Sequence, residues 1–319
     1  MAIVIETNNL CKTYEIAARG QSVNALKSLT ISINSGEIFG YLGPNGSGKT
    51  TTIKMLLGLI FPSSGGIKIL GREDIGSEDI KKKIGYLPEG AYYPEFLRGE
   101  EVLKFYGQLY GMRGAELNRR IDESLEIVGM KRARKRLIRG YSKGMRQRIG
   151  LAQALISDPQ ILILDEPTTG LDPIARKEIR DILIRLRNEG KTLMISSHEL
   201  LEVELISNRV GIIFEGELQT IGTIQELLTD RDVTIEVETP STEILAKFDR
   251  ESGIKHEDSV DGRSLLRIPS NISVYTALDI CKDNNVKLVA VAPRRETLEE
   301  LFVRTVGAAG ERKKGVAPR

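Results

Sequence analysis

The sequence predicts an α/β fold built on a mostly parallel sheet, followed by a small α+β domain. Three observations carry that reading. A short apolar run, Ile38–Leu42, feeds a glycine-rich loop and then a helical pattern from Ile53 to Leu59. Two further short runs, Ile161–Leu164 and Thr192–Ser196, have the near-continuous apolar character of strands covered on both faces of a parallel sheet. After Leu228 the pattern changes to the order βαββαβ plus a last helix, which is that of a ferredoxin-like domain.

The 319 residues are enough for one large or two ordinary domains with a buried core. A net charge of +2 argues against a dedicated nucleic-acid binder, whose domain is usually strongly basic. The two cysteines, Cys11 and Cys281, lie in separate segments without metal spacing and are expected reduced and buried, as in a cytosolic protein. The opening MAIVIETNNL has no basic region followed by a long apolar stretch, so no signal peptide is expected. No apolar run approaches the roughly 18 residues a membrane helix needs. If the chain works at a membrane, another polypeptide must cross it.

In chain order, Ile3–Glu6 and the alternating Ser28–Asn34 read as strands, with Tyr14 between them. Ile67–Leu70 and Ile84–Leu87 read as two more, with an amphipathic helix between. From Arg98 to Ile156 the pattern is helical throughout. Within it, Lys131–Arg139 (KRARKRLIR) carries six basic residues; the reading is a solvated helix face, with phosphate or lipid headgroups as the alternative. Pro173 stands at a first helical position, the helix runs to Asn188, and Gly190 stops it. Arg209–Phe214 and Glu217–Ile221 form a hairpin around Glu215-Gly216. The first domain is expected over 1–229, with a helical subdomain over about 90–156, and the second over 230–306. The glycine-rich, basic tail 307–319 is expected to be disordered.

The chemistry begins at the glycine-rich loop. Gly43, Pro44, Asn45, Gly46, Ser47 and Gly48, then Lys49, Thr50 and Thr51, spell G-x-x-x-x-G-K-[ST] in a strand–loop–helix context. The glycines let successive backbone N–H groups converge on one anion, and the helix N-terminus adds its positive end. Lys49 supplies a charge for the β- and γ-phosphates, and the Thr50 hydroxyl is placed to ligate Mg²⁺. These residues predict binding of a nucleoside triphosphate. At the end of Ile161–Leu164, Asp165 can hold the metal's hydration shell and Glu166 can polarise an attacking water. His198, after another buried strand, fits a γ-phosphate contact that orients water.

The order of Gly43–Thr50, Tyr141-Ser-Lys-Gly-Met-Arg-Gln147, Ile161–Glu166, Gly170-Leu-Asp172 and His198 resembles the ATP-binding subunit of an ABC transporter. The resemblance covers about residues 3–225. The C-terminal domain is similar to one appended to ATPase subunits of a bacterial exporter branch. The resemblance implies that Tyr14 stacks on adenine, and that Ser142 and Gly144 touch the γ-phosphate of ATP held by an opposite subunit. It also implies that the loop of Asp172 crosses the dimer interface. ATP and Mg²⁺, a second ATP-binding subunit (homodimer or heterodimer) and a separately encoded transmembrane permease would follow. The chain would sit at the cytoplasmic face of the membrane.

Two positions depart from the family pattern. The usual Leu-Ser-Gly-Gly-Gln is here Tyr141-Ser142-Lys143-Gly144-Met145, and a usual Gln is here Glu89, whose carboxylate can still ligate Mg²⁺ or its water. The rival class is a soluble ABC-type ATPase acting on nucleic acid or the ribosome. Such proteins usually carry tandem nucleotide domains or a long coiled coil, whereas this chain has one phosphate loop and no sustained heptads. A third reading makes the C-terminal domain a ligand-sensing or dimerising module that regulates the ATPase.

Overall fold

The structure is a computed structural model; it describes residues 2–16, 21–90, 92–228, 230–238, 240–252, 254–259, 263–269 and 272–313. By contacts the chain divides into two compact units, Met1–Ile224 with Phe302–Arg319, and Gln225–Leu301.

The first unit opens with a long antiparallel hairpin, β1 (Ile3–Ile16) and β2 (Gln21–Asn34). Both strands extend well beyond the expected Ile3–Glu6 and Ser28–Asn34. Their outer halves are polar and irregular in pattern, and four register shifts break the pairing, so alternation alone does not reveal them. Then follow β3 (Ile38–Leu42), α1 (Lys49–Leu56), β4 (Ser64–Ile69), α2 (Glu78–Lys82) and β5 (Ile84–Leu87). The helical stretch holds α3 (Gly99–Leu109), α4 (Gly114–Ile127) and α5 (Lys143–Leu155). After it come β6 (Ile161–Asp165), α6 (Pro173–Asn188), β7 (Thr192–Ser197), α7 (Leu200–Ile206), β8 (Arg209–Phe214) and β9 (Glu217–Thr223); the short α8 (Ile224–Leu227) starts at Ile224, where this stretch of the first unit ends.

Two sheets result. One is antiparallel, in the order β2-β1-β4; the other runs β5-β6-β7-β3-β8-β9, parallel except for the β8–β9 hairpin. The short apolar strands fill both of its faces. Leu162 and Leu164 of β6 pack with the helices α3–α6, whereas Ile161 and Ile163 pack with β1, β2, β4 and α1. That explains why β6 has no polar alternation.

The basic run does not form the expected helix face. Lys131–Ala133 is a single 3-10 turn, and 134–139 then lies antiparallel beside 95–100, with Ile138 N donating to Leu97 O (2.8 Å) and Glu100 N to Arg134 O (3.1 Å). Acidic partners from α3 and α4 absorb part of its charge: Arg134 meets Glu100 and Asp122, each at 2.6 Å, and Lys131 meets Glu126 at 2.8 Å. Cys281 is buried as expected, but Cys11 is only partly so, with its thiol on the Asn9 carbonyl at 3.3 Å.

The second unit holds β10 (Asp230–Glu238), α9 (Thr242–Ser252), β11 (Lys255–Ser259), β12 (Arg263–Pro269), α10 (Val274–Asp283) and β13 (Leu288–Arg295), and α11 (Leu298–Lys313) starts in it. Its antiparallel sheet runs β11-β12-β10-β13, the ferredoxin-like order, over a core that includes Ile235, Phe248 and Leu266. The expected disorder from Gly307 is corrected over 307–313, which continue α11; Ala308 and Ala309 are strong helix formers that carry it past Gly307. Residues 314–319 of that tail lie outside the described residues.

The helical layer touches the parallel sheet very closely at one point. A Cβ added to Gly85 of β5 would meet Ala154 O of α5 at 2.2 Å and Leu162 Cδ2 at 2.7 Å. Gly85→Ala should therefore destabilise the chain by about 1–3 kcal/mol through overpacking. The control Gly66→Ala, which faces open space, should stay within about 0.5 kcal/mol. Urea unfolding of the two variants checks the contrast; equal stabilities would contradict this packing.

Candidate functional site

The phosphate loop is built where β3 ends. All five residues of β3 are buried, and it pairs in parallel with β7 on one side and β8 on the other. The loop turns through Gly46 (φ 80°) and Gly48 (φ 109°) into α1. At Gly48 a side chain is excluded twice over, by that φ and by Ala25 O, which would lie 2.6 Å from a Cβ. Lys49, the first residue of α1, is buried, and its ammonium donates to Gly43 O (2.5 Å) and Pro44 O (3.2 Å), so the charge sits over the loop. Thr52 Oγ1 donates to Gly48 O (3.0 Å) and lies 3.1 Å from the Tyr41 hydroxyl, fixing the first turn of α1 to β3.

The second part comes from β6 and β7. Their parallel register places Asp165 opposite Ser196. Successive residues of a strand point to opposite faces, yet Asp165 and Glu166 both line one cavity. The break occurs at Glu166, which has φ 51°. Its N–H donates to Ser196 O (3.1 Å) and Ser196 Oγ (3.3 Å), and its Oε2 accepts from Thr169 Oγ1 (2.8 Å). His198 Nδ1 lies 2.8 Å from the same oxygen. A left-handed conformation costs a non-glycine residue roughly 1–2 kcal/mol, and it persists because these partners hold it.

Loop and carboxylates face each other across a cleft of ≈ 340 Å³, lined by Ala25, Asn45, Gly46, Ser47, Gly48, Lys49, Thr50, Thr51, Glu89, Asp165, Glu166 and His198. Burial pushes the Asp165 carboxyl above its usual pKa; the Ser196 hydrogen bond opposes that shift, and the carboxylates of Glu166 and Glu89 reinforce it. Burial pulls Lys49 below its ordinary value, against the upward pull of Glu166, Asp165 and Glu89. Ser47 Oγ is buried with no hydrogen-bond partner, which leaves a polar atom in the cradle unsatisfied. A second cavity of ≈ 360 Å³, lined by Glu6, Asn8, Asn9, Gly65, Gly66, Ile67, Lys68 and Glu73, lies at the antiparallel sheet and has neither a helix N-terminus nor a buried lysine. The chemistry favours the first for a polyanion.

Six expected site residues stand outside that cleft lining: Gly43 and Pro44, which open the loop and accept from Lys49, and four that lie elsewhere. Tyr14 is exposed on β1, under the Lys12 ammonium at 5.2 Å from the ring centre. Ser142 caps α5, its hydroxyl accepting from Met145 N (3.2 Å), and Gly144 follows in the first turn. Asp172 caps α6 through Ala175 N (2.9 Å). The expectation also missed participants. Ala25 needs the fold of β2 to be placed. Thr169 was readable only as a polar residue just after the strand-end carboxylates, and Ser196 only as the polar end of the apolar run before His198.

Comparison with known proteins agrees in kind. The sequence profile described as ABC transporter matches residues 26–169. An uncharacterised ABC transporter ATP-binding protein of Synechocystis sp. is 38% identical over 97% of this chain and 86% of its own. The bacitracin transport ATP-binding protein BcrA of Bacillus licheniformis is 34% identical over 96% of this chain and 98% of its own. Among solved structures, the dimeric post-hydrolysis state of the ATP-binding cassette MJ0796, bound to ADP and Pi, aligns with a TM-score of 0.63 at 25% identity, covering 69% of this chain and 99% of that one.

The buried Asp165 has a consequence for pH. Its folded-state pKa lies above the ordinary 3.8, so the folded form binds more protons over the interval between the two values, and stability falls as pH rises through it. In the nucleotide-free chain, Asp165→Asn should remove that fall. The variant should be the more stable near pH 7, by a margin that shrinks as pH drops toward 3.8. Thermal melts across pH 4–8 test this; a variant less stable than the parent at pH 7 would contradict it.

Proposed function

The chain belongs to the ABC transporter ATP-binding proteins, and from that premise we propose that it powers export through a separately encoded membrane permease by ATP-dependent pairing with a second ATP-binding subunit. It is an ATP-binding, ATP-hydrolysing subunit of an ABC transporter. The observation that carries the mechanistic reading is the convergence of the phosphate loop, Asp165, Glu166 and His198 on one cleft.

In this reading the N–H groups of 45–51 and the N-terminus of α1 bind the β- and γ-phosphates. Lys49 is exchanged from the Gly43 and Pro44 carbonyls onto phosphate oxygens, regaining a full counter-charge. Glu166 accepts a proton from the attacking water, and His198, held against Glu166 Oε2, orients that water and touches the γ-phosphate. Among the described residues no cluster of three His, Cys, Asp or Glu side chains could hold a metal. The donors present, the Thr50 hydroxyl and the carboxylates of Asp165 and Glu89, are few, hard and oxygen-only, which fits a Mg²⁺ that takes its other ligands from phosphate and water. That ion would neutralise the charge developing on the β- and γ-oxygens.

Hydrolysis requires donors on the far side of the γ-phosphate as well. Ser142 and Gly144 open α5 at its positive end yet stand outside the cleft lining of their own chain. They are assigned to the ATP of the partner subunit, with Asp172 at the shared interface and Tyr14 on the adenine. Among the described residues no helix is long and apolar enough to cross a membrane. Membership of the ABC transporter ATP-binding proteins supports assigning the cargo path to the permease and this chain to the membrane's cytoplasmic face. Export is supported by similarity to a bacitracin transport protein along nearly the full length of both chains.

Glu166→Gln should lower turnover by roughly 10²–10⁴-fold, the share of a general base, while ATP still binds. The variant should then elute as an ATP-bound dimer on size exclusion. Lys49→Ala should instead lose ATP affinity and stay monomeric. A Glu166→Gln chain that hydrolyses ATP at the parent rate overturns the assignment.

A further inference from the structure

Asp165 and Glu166 are neighbours at the end of β6, and an undistorted strand would send one of them to the opposite face of the sheet. Both nevertheless line the cleft. One residue of β7 touches each of them. Ser196 is fully buried and stands directly across from Asp165 in the parallel register. A serine hydroxyl has one proton to donate and lone pairs to accept with. Ser196 Oγ donates to Asp165 Oδ1 and accepts from the Glu166 N–H at 3.3 Å, while Ser196 O takes the same N–H at 3.1 Å.

We propose that Ser196 is a positioning residue for ATP hydrolysis: its hydroxyl ties the Asp165 carboxylate to the backbone of Glu166 and so holds both carboxylates toward the same phosphate. This rests on the assignment of Glu166 made above.

The tie acts on two variables at once. Committing Oδ1 of Asp165 to Ser196 sets the rotation of that carboxyl and leaves Oδ2 for the cleft. Receiving the Glu166 N–H stabilises the φ of 51° that turns the glutamate back into the cavity, where Thr169 and His198 complete its hold. The neighbouring Ser197 is the next residue of β7, so an extended strand turns it to the opposite face, where its Oγ accepts from Glu199 N at 2.9 Å. Ser196 does not line the cleft, so its removal should leave ATP binding in place and degrade the alignment of the reacting groups.

Three full-length variants test this in parallel: Ser196→Ala, Ser196→Thr and Glu166→Gln. Steady-state ATPase assays should give Ser196→Ala a kcat lower by about tenfold, the worth of one well-placed hydrogen bond, with KM for ATP within about twofold of the parent. Ser196→Thr restores the hydroxyl and should recover most of the lost kcat. ATP affinity measured in EDTA by equilibrium dialysis should match the parent for both, which also shows that each variant folds. The role of Ser196 is overturned if Ser196→Ala keeps the parent kcat while Glu166→Gln is inactive. It is overturned equally if Ser196→Thr fails as badly as Ser196→Ala, or if the alanine variant loses ATP binding in EDTA. Parent-level turnover by Glu166→Gln would instead sink the assignment of Glu166, and the positioning role with it.

Discussion

Parallel pairing of β3, β6 and β7 is the constraint on which the rest of the structure depends. Because their chains run the same way, their carboxyl ends emerge at one edge, and the loop after β3 meets Asp165 of β6 and the residues after β7. A parallel sheet buries both faces, so these strands must be apolar along their length and can carry polar chemistry only at their ends. The sequence obeys this closely: Ile161–Leu164 is followed at once by Asp165 and Glu166, and the apolar part of β7 by Ser196, Ser197 and His198. The fold and the ATP chemistry therefore use the same register, and a one-residue slip would disperse the site.

The site is held at some expense to the folded state. Asp165 is almost fully buried with its pKa raised, Lys49 is buried with its pKa lowered, and Glu166 adopts a left-handed backbone. None of these helps folding; all are arranged around a space suited to a triphosphate. In the proposed reading, ATP would give Lys49 direct phosphate contacts in place of two neutral loop carbonyls, beyond the more distant pull of Glu166, Asp165 and Glu89.

Much of this could be read from the sequence where the signals were local. The phosphate loop needs its glycines at fixed spacing, β5 shows as Ile84–Leu87, and α6 is framed by Pro173 at its first position and Gly190 after its end. What could not be read depended on distant partners. The outer halves of β1 and β2 are strands because they pair with each other, across register shifts that hide the alternation. The basic run 131–139 resembles an open helix face until Glu100 and Asp122 are brought onto Arg134. Helix α11 runs through Gly307, where composition suggested a tail. At the site, Asp165, Glu166 and His198 were legible as strand-end residues, but the left-handed turn at Glu166 and the role of Ser196 exist only once β6 and β7 are in register.

Hydrogen exchange of the full chain with and without ATP tests the central claim most directly, because two cavities of similar size compete for the ligand. If the cleft at the strand ends holds the triphosphate, ATP should slow exchange at the amides of 45–51, Glu166 and His198, and leave Glu6–Asn9 and Gly65–Lys68 unchanged. Protection confined to the latter pair of segments, with 45–51 exchanging at the ATP-free rate, would contradict the account.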